Sequence, residues 1–484
     1  MTPPRKGSAT IPLKVVATRP DEGIEQSLFE VRKKIYPRSV TGWFATWRWA
    51  MVWLTQIIFY GLPWVEWNDR QSVLFDLAAR KFYIFGLVFW PQDFIYLTAL
   101  LVISALSLFL FTAIAGRLWC GFACPQTVYT EIFLWVERMV EGDRTARTRL
   151  DAAPLSPRKF GLKSAKHFIW IAIALWTGFT FVGYFTPIRT LSGLVATLSL
   201  GPWEIFWIMF YGLATYGNAG FMREQVCKYM CPYARFQSVM FDRDTLVITY
   251  DNERGEPKGS RSKKADYKSQ GLGDCVDCEV CVQVCPTGID IRDGLQYECI
   301  GCAACIDGCN QVMDKMGYPR GLIRYSTENA LRSHHSGWRV IGRALRPRTL
   351  VYLGVLCSVI ALAGTALWLR VPLKVDVIRD RGALVRDVEG GEIENVYRLV
   401  VANTNEEARR FRIAVSGLPG LHVASEESIE VGAASTRAFP VRVRMPRDGA
   451  PDGSHPIRFR IESVDRDGVE VSEKATFLVR GEAR

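Results

Sequence analysis

Two sets of cysteines carry the chemistry of this sequence. Between Asp274 and Asn310, Cys275, Cys278, Cys281 and Cys285 are spaced C-x2-C-x2-C-x3-C-P. Cys299, Cys302, Cys305 and Cys309 repeat the spacing with Asn310 in place of the proline. Three thiolates at successive short intervals wrap one face of an iron–sulfur cubane, and the more distant fourth reaches across to a second one. One [4Fe–4S] cluster is therefore expected on Cys275, Cys278, Cys281 and Cys309, and the other on Cys299, Cys302, Cys305 and Cys285. A pair of tetrahedral zinc sites is the competing chemistry, since zinc also takes CxxC pairs. Zinc fingers rarely carry three cysteines at these intervals with a fourth and a proline behind them, so clusters are the preferred reading. Two neighbouring one-electron centres make a wire, and a wire needs a terminus.

The second set is a repeated CxxxCP. The stretch GRLWCGFACPQT carries Cys120 and Cys124, REQVCKYMCPYARFQ carries Cys227 and Cys231, and each pair follows a long apolar run. Continued helix would place the two sulfurs of a pair on one stripe. Pro125 and Pro232, however, disfavour helical geometry in the cysteine before them, so a break is expected there. Side by side, the segments would gather four thiols at the end of the wire, as the reacting group or as a metal site. Soft thiolates suit Cu(I), zinc or iron–sulfur centres, and a dithiol can also cycle through a disulfide. Inert packing explains one such pair readily, but two copies with proline in the same place argue against it. Arg117, Arg223, Lys228 and Arg235 are expected to favour thiolate, and equally to anchor the chain at a membrane surface. Cys357, alone in the last apolar run, reads as a packing residue. Of five histidines only His167 touches an apolar run, and there is no CxxCH, so haem is not expected.

These residues sit in a 484-residue chain with 15 Trp, 26 Phe and a mean hydropathy of +0.06, which points to membrane segments. Twelve of its thirteen cysteines fall in the tight clusters, the usage of a reducing compartment rather than of a disulfide framework. Five runs, about 43–64, 93–116, 167–186, 202–220 and 349–369, are long enough to cross a bilayer as helices, and 83–90, too short and stopped by Pro91, reads as interfacial or re-entrant. Residues 1–40 read as a cytoplasmic tail without a signal peptide. Eight Lys and Arg precede the first run and nine lie between Arg117 and Lys166, against three after the first run and one after the third, which puts the N-terminus inside. The domains expected are thus a four-helix membrane domain over 41–220 and a cytoplasmic region over 221–348, holding a ferredoxin-like unit at about 270–315. A fifth membrane helix at 349–369 and a periplasmic immunoglobulin-like β-sandwich over 370–484 follow, the latter from alternating stretches such as VYRLVVANTN and IRFRIESV. The sandwich has no cysteine and reads as a docking or structural module. The net charge of +11 is assigned to membrane anchoring, and no nucleic-acid partner is expected.

Taken together, LWCGFACPQTVYTEIF, REQVCKYMCPYARFQ, VCPTGIDIRDGLQYECIGCAACID and GYPRGLIRYST resemble the CcoG (FixG, RdxA) family of cytochrome oxidase accessory proteins over nearly the whole chain. The resemblance implies a protein of the bacterial inner membrane that matures cbb3-type cytochrome c oxidase by reducing Cu(II) to Cu(I). It makes Cys120, Cys124, Cys227 and Cys231 the reacting residues, with copper as substrate or bound ion, and it implies the oxidase assembly machinery and copper chaperones as partners. Asn310 is the one departure from the pattern. Two alternatives stay open: a quinol-linked electron-transfer subunit akin to membrane components of nitrate and nitrous-oxide respiration, and a non-catalytic assembly scaffold. No nucleotide or flavin motif announces the electron donor.

Overall fold

The structure, a computed structural model, describes residues 34–333, 346–380, 385–388, 390–464 and 468–479. Most of the tail expected over residues 1–40 lies outside the described residues. The first apolar run is helix α1 (Trp43–Gly61), whose buried positions Ala45, Arg48 and Val52 recur on one face. Strands β1 (Glu66–Trp67), β2 (Arg70–Gln71), β3 (Val73–Asp76), β4 (Lys81–Ile84) and β5 (Leu87–Phe89) follow, with β1 on β2 and an antiparallel β3–β4–β5 sheet. Residues 83–90, read as an interfacial or re-entrant segment, are thus most of a β-hairpin. Aromatic and branched side chains favour the strand, and Phe85 turns the chain at φ 50, its amide donating to Ser72 O and its carbonyl accepting from Arg70.

Helix α2 (Phe94–Ala115) ends at Gly116. Short α3 (Leu118–Phe122) then leads into α4 (Pro125–Glu141) and α5 (Arg144–Ala152). Helix α6 (Pro157–Val182) begins ten residues before the apolar run, because Ser156 caps it by accepting from the Lys159 amide at 3.2 Å and Pro157 suits the first helical position. After α7 (Ile188–Ala196), α8 (Pro202–Thr215) packs along α6 at close range: a Cβ on Gly178 would fall 2.3 Å from Ile208 O, so only glycine fits. The fourth apolar run therefore gives a 14-residue helix, which passes into a π-helical segment, Tyr216–Met222. A second π segment, Val226–Met230, precedes α9 (Pro232–Met240).

Strand β6 (Val247–Tyr250), α10 (Asn252–Gly255), α11 (Val280–Gln283), α12 (Ala304–Met316), β7 (Ile323–Ser326) and α13 (Glu328–Arg332) make up the cysteine-rich region. It leads to α14 (Pro347–Trp368), which packs along α2 with Tyr96 donating to Ala366 O. Among the described residues three helical stretches are long and apolar enough to cross a membrane: Pro91–Ala115, Pro157–Val182 and Pro347–Trp368. Cys357, read as a packing residue, is exposed on α14, since only one side of that helix meets α2.

The C-terminal strands form two packed sheets. β8 (Leu373–Arg379), β9 (Arg386–Val388), β10 (Glu392–Asn403), β12 (His422–Val423) and β14 (Thr436–Pro446) make one, and β11 (Arg409–Ser416), β13 (Ser428–Val431), β15 (Gly453–Ser463) and β16 (Glu470–Val479) the other. Alternate residues of β10 and β15 point into a core that fully buries Tyr397, Phe411, Phe459 and Phe477. The sandwich is held to the apolar helices and their hairpins. Buried Asp93, at the head of α2, pairs with Arg370 at 2.7 Å and with Lys374, while Glu406 pairs with Arg70 and accepts from Asn68.

A second buried ionic group ties the helices around the CxxxCP motifs. Glu137 of α4, 2% exposed, accepts from Arg147 of α5 and from Arg223, each at 2.7 Å, and Lys166 of α6 lies 3.9 Å away. Burial pushes its carboxyl pKa up, but Arg223, Arg147 and Lys166 outweigh that and hold it below the ordinary value. Such a group contributes stability at neutral pH that is lost as pH falls through the carboxylate range. Glu137→Gln should cost about 3–5 kcal/mol, since it leaves buried cations without their partner. Thermal unfolding of the purified variant should show a lower midpoint at neutral pH and a smaller further drop in acid than the parent. Asp93→Ala should expose the chain between α14 and β8, and limited proteolysis should release the sandwich faster than from the parent.

Candidate metal centres

Strand β6 pairs antiparallel with β7 from Val247 opposite Ser326 to Tyr250 opposite Ile323, closing the two ends of the cysteine-rich segment on each other. Helices α11 and α12 each follow the middle cysteine of one triplet and pack together, Gly308 of α12 meeting Val280 and Val284. Cys275, Cys278, Cys281 and Cys309 line one small cavity, among Val312, Met313 and Leu322. Cys285, Cys299, Cys302 and Cys305 line another, among Ile248, Ile289 and Ile300, and Cys281 borders both.

The backbone around each triplet repeats. Asp277 and Glu279 flank Cys278 with φ of 50 and 54°, and Gly301 and Ala303 flank Cys302 with φ of 69 and 60°. Three of the four are not glycine, so the surroundings enforce a costly conformation. Left-handed residues alternating with right-handed ones turn successive N–H groups toward a single anion, as nests at iron–sulfur sites do. Burial pushes Cys281 and Cys309 up to about 12, so loading these thiols with metal releases protons. Among the described residues no three His, Cys, Asp or Glu converge tightly enough to chelate one ion. The thiols ring a space rather than a point, which suits a multi-atom cluster better than zinc. Asn310, where the other motif has proline, sits inside α12 and accepts from the Gly321 amide at 3.0 Å. Proline there would break the helix that carries Cys305 and Cys309.

The two CxxxCP segments are copies in three dimensions. Gly116 (φ 53, ψ −116) and Arg223 (φ 41, ψ −111) take the same conformation four residues before Cys120 and Cys227. Cys124 and Cys231 are both extended, with a helix starting at the following proline, so the single helical stripe does not form and the break does. The copies clasp one another. Gln126 donates to Asn218 O and Arg223 O at 3.0 and 3.1 Å, Arg117 donates to Ala234 O at 2.5 Å, and Gln237 donates to Cys120 Sγ at 3.4 Å. Cys120, Cys124 and Cys231 all act electrostatically on Cys227, so the four thiols share one locality. Cys120 and Cys227 are not preferentially ionised: burial pushes Cys120 up to about 11 and Cys227 up to about 12, outweighing Arg117. Arg223 is instead engaged with Glu137.

This locality abuts the second cavity. A Cβ on Gly121, between Cys120 and Cys124, would fall 2.6 Å from Gly301 O, and one on Gly301 would fall 2.9 Å from Arg117 O. Arg117 donates to the carbonyls of Tyr297 and Cys299, and Arg48 of α1 to Cys302 O at 2.6 Å. Asp307, between Cys305 and Cys309, caps α1 by accepting from the Phe44 and Ala45 amides at 3.3 and 2.8 Å. A narrow cavity of about 80 Å³ runs between Cys227 and Cys302, with Glu131 and Glu224 in its walls. Nothing in the sequence marks Arg48, Asp307 or Gln237, whose partners are more than a hundred residues away.

Comparison with known proteins fits this architecture. Residues 222–328 match the model of a 4Fe-4S dicluster domain, residues 97–142 that of a 4Fe-4S binding domain, and residues 363–480 that of the immunoglobulin-like fold at the C-terminus of FixG. The nitrogen fixation protein FixG of Rhizobium meliloti (strain 1021) is 40% identical over 457 residues, 86% of this chain and 87% of that protein. Protein RdxA of Cereibacter sphaeroides is 40% identical over 467 residues, 92% of this chain and 97% of that protein. The crystal structure of a FixG-related protein from Vibrio parahaemolyticus is 23% identical and covers 22% of this chain and 95% of that one, with a TM-score of 0.21. With two iron–sulfur clusters indicated by the domain matches, a FixG-type C-terminal fold and 40% identity along most of both relatives, the chain belongs to the FixG and RdxA family of membrane-associated iron–sulfur electron-transfer proteins.

Proposed function

We propose that this chain reduces Cu(II) to Cu(I) at Cys120, Cys124, Cys227 and Cys231, for assembly of the copper site of a cbb3-type cytochrome c oxidase. The observation that carries the reading is the packing of the Cys120–Cys124 loop directly on Gly301 and Cys302, which joins a set of soft ligands to a cysteine-lined cavity. Cys275, Cys278, Cys281 and Cys309 would hold one [4Fe–4S] cluster and Cys299, Cys302, Cys305 and Cys285 the other, each supplying a one-electron centre when bound. The rest falls to the protein. Arg48 and Arg117 fix the 297–302 backbone, Gly121 keeps the approach short, and Gln237 orients Cys120. Each Cu(II) takes up one electron to become Cu(I), and thiolate favours the reduced, softer ion. Oxidase assembly factors and copper chaperones are the partners that would receive it.

The N-terminus and the clusters lie on the cytoplasmic side of a bacterial inner membrane in this reading, and the sandwich lies in the periplasm. The Lys and Arg asymmetry supports it, and so does α2. Its 22 residues rise about 33 Å between Asp93, which grips the sandwich, and Gly116, beside the CxxxCP locality. A second reading is favoured by one observation: the 4Fe-4S matches over 97–142 and 222–328 take in all four CxxxCP cysteines, so these could hold a third cluster.

Anaerobically purified protein should contain about eight irons per chain if the clusters number two. Replacing Cys227 and Cys231 by serine should leave that iron and its spectra intact while abolishing copper binding and reduction. Loss of about four irons in that variant would move the quartet to the third-cluster reading. Wild-type copper reduction would remove the quartet from the reaction altogether. A reporter fused after Arg484 should be active only in the periplasm, and cytoplasmic activity would reverse the orientation.

A further inference from the structure

Arg223 and Glu224 stand between two cavities. One runs to Cys227 and Cys302, and the other, of about 370 Å³, opens beside the first half of α6. His167 and Trp170 of α6, Gly220 and Phe221 of the π-helical segment, Lys166 and Glu224 are in the walls of the second. The His167 ring lies parallel to Phe221 within 13°, centroids 6.0 Å apart, and Trp170 stands edge-on to it at 5.3 Å. His167 Nδ1 shares a hydrogen bond of 3.0 Å with the Tyr216 hydroxyl, while Nε2 has no hydrogen-bond partner among the described residues. The wall depends on two unusual features. π-Helical turns are rare and concentrate at functional sites, and this one brings both Tyr216 and Phe221 to His167. Gly220 leaves the space that the Trp170 ring occupies, since a Cβ there would lie 3.1 Å from it.

The lining selects among electron donors. Its cations are already committed: Lys34 to Asp151, Lys163 to Glu141 and Asp151, Lys166 to Glu141, and Arg223 to Glu137. A phosphate headgroup or a nucleotide would have to break one of these ion pairs, and the chain has no Gly-rich phosphate loop before a helix. A neutral ring bearing hydroxyls needs only flat aromatic surface and a proton acceptor, which His167, Phe221 and Trp170 supply. The position, at a membrane-crossing helix and one residue layer from the Cys227 cavity, suits a carrier that arrives through lipid.

We propose that this cavity binds and oxidises a membrane-soluble quinol, which is the electron source of the chain. The quinol gives one proton to His167 Nε2 and one to the Glu224 carboxylate, loses two electrons and leaves as quinone. The two electrons convert two Cu(II) to two Cu(I), so the overall exchange balances. This final acceptor rests on the copper-reducing function proposed above, whereas the quinol site does not.

The full chain, with its clusters, in lipid nanodiscs provides the test. A quinol with a short alkyl tail should bleach the iron–sulfur absorbance, as dithionite does. His167→Gln should slow the quinol-driven bleaching on the order of a hundredfold, and Tyr216→Phe should slow it less, with dithionite-driven bleaching unchanged in both. A photoreactive azido-quinone should cross-link within residues 163–170 or 216–224 and be displaced by excess quinol. If His167→Gln fails to retain iron, Tyr216→Phe and the cross-link decide. Wild-type clusters that dithionite reduces but quinol does not, cross-linking elsewhere, or both variants reacting at the wild-type rate would overturn the proposal. Quinol-driven bleaching in a protein that cannot then reduce Cu(II) would sink the copper reading and leave this one standing.

Discussion

The backbone of Gly301 and Cys302 lies so close to Gly121 that a single Cβ on Gly121 would overlap it. Most of the architecture serves to keep that approach. Arg117, four residues before Gly121, reaches over to the carbonyls of Tyr297 and Cys299, and Arg48 fixes Cys302 from the other side. Asp307, on the same helix as Cys305 and Cys309, takes the first free amides of α1. A helix N-terminus attracts negative charge, so α1 is oriented by the very element that carries the cysteines. Polar groups make these joints, and their geometry is directional where apolar packing is not.

Around this contact the chain has used one structural idea twice. Each CxxxCP copy begins at a residue with positive φ, passes its first cysteine in a short helical turn, extends at the second and starts a new helix on proline. Each copy's new helix holds the other's turn, through Gln126 in one direction and through Ala234 and Gln237 in the other. The copies differ where function asks it of them. Gly116 makes its turn without cost, whereas Arg223 makes the same turn strained, and its side chain is thereby delivered to Glu137 at the wall of the His167 cavity.

The ends of α2 show how the outlying parts are tied to the centre. At its head Asp93 holds Arg370 and Lys374 on the two sides of the α14–β8 junction. Near its foot Arg346 donates to Ala113 O and pairs with Asp242 at 2.5 Å. Helix α14 is thus fastened to α2 through the Asp93 ion pair at one end and the Arg346 hydrogen bond to Ala113 O at the other, with little but apolar surface between. Between two helices in lipid hydrophobic association would contribute nothing, and polar contacts at the ends supply what such a middle would lack.

Much of the chemistry was legible in one dimension, because it is written in short intervals. The spacing of Cys275 to Cys309 is local covalent geometry, so iron–sulfur character follows without knowledge of the fold. The apolar runs and the two-residue alternation of the C-terminal third are likewise local, and they gave the helices and the sandwich. The tertiary structure decided everything that depends on approach across the chain. The run 83–90 became a hairpin because Ser72 and Arg70 hold its turn, and Cys357 is exposed because only one side of α14 meets α2. Arg117 and Arg223 were read as thiol activators, yet burial outweighs the first and Glu137 engages the second. His167 was marked in the sequence only by its place at the edge of an apolar run. Its meaning comes from Tyr216 and Phe221, some fifty residues on, which reach it only through a π-helical turn, and π-helical geometry depends on packing that no local pattern of residues reports.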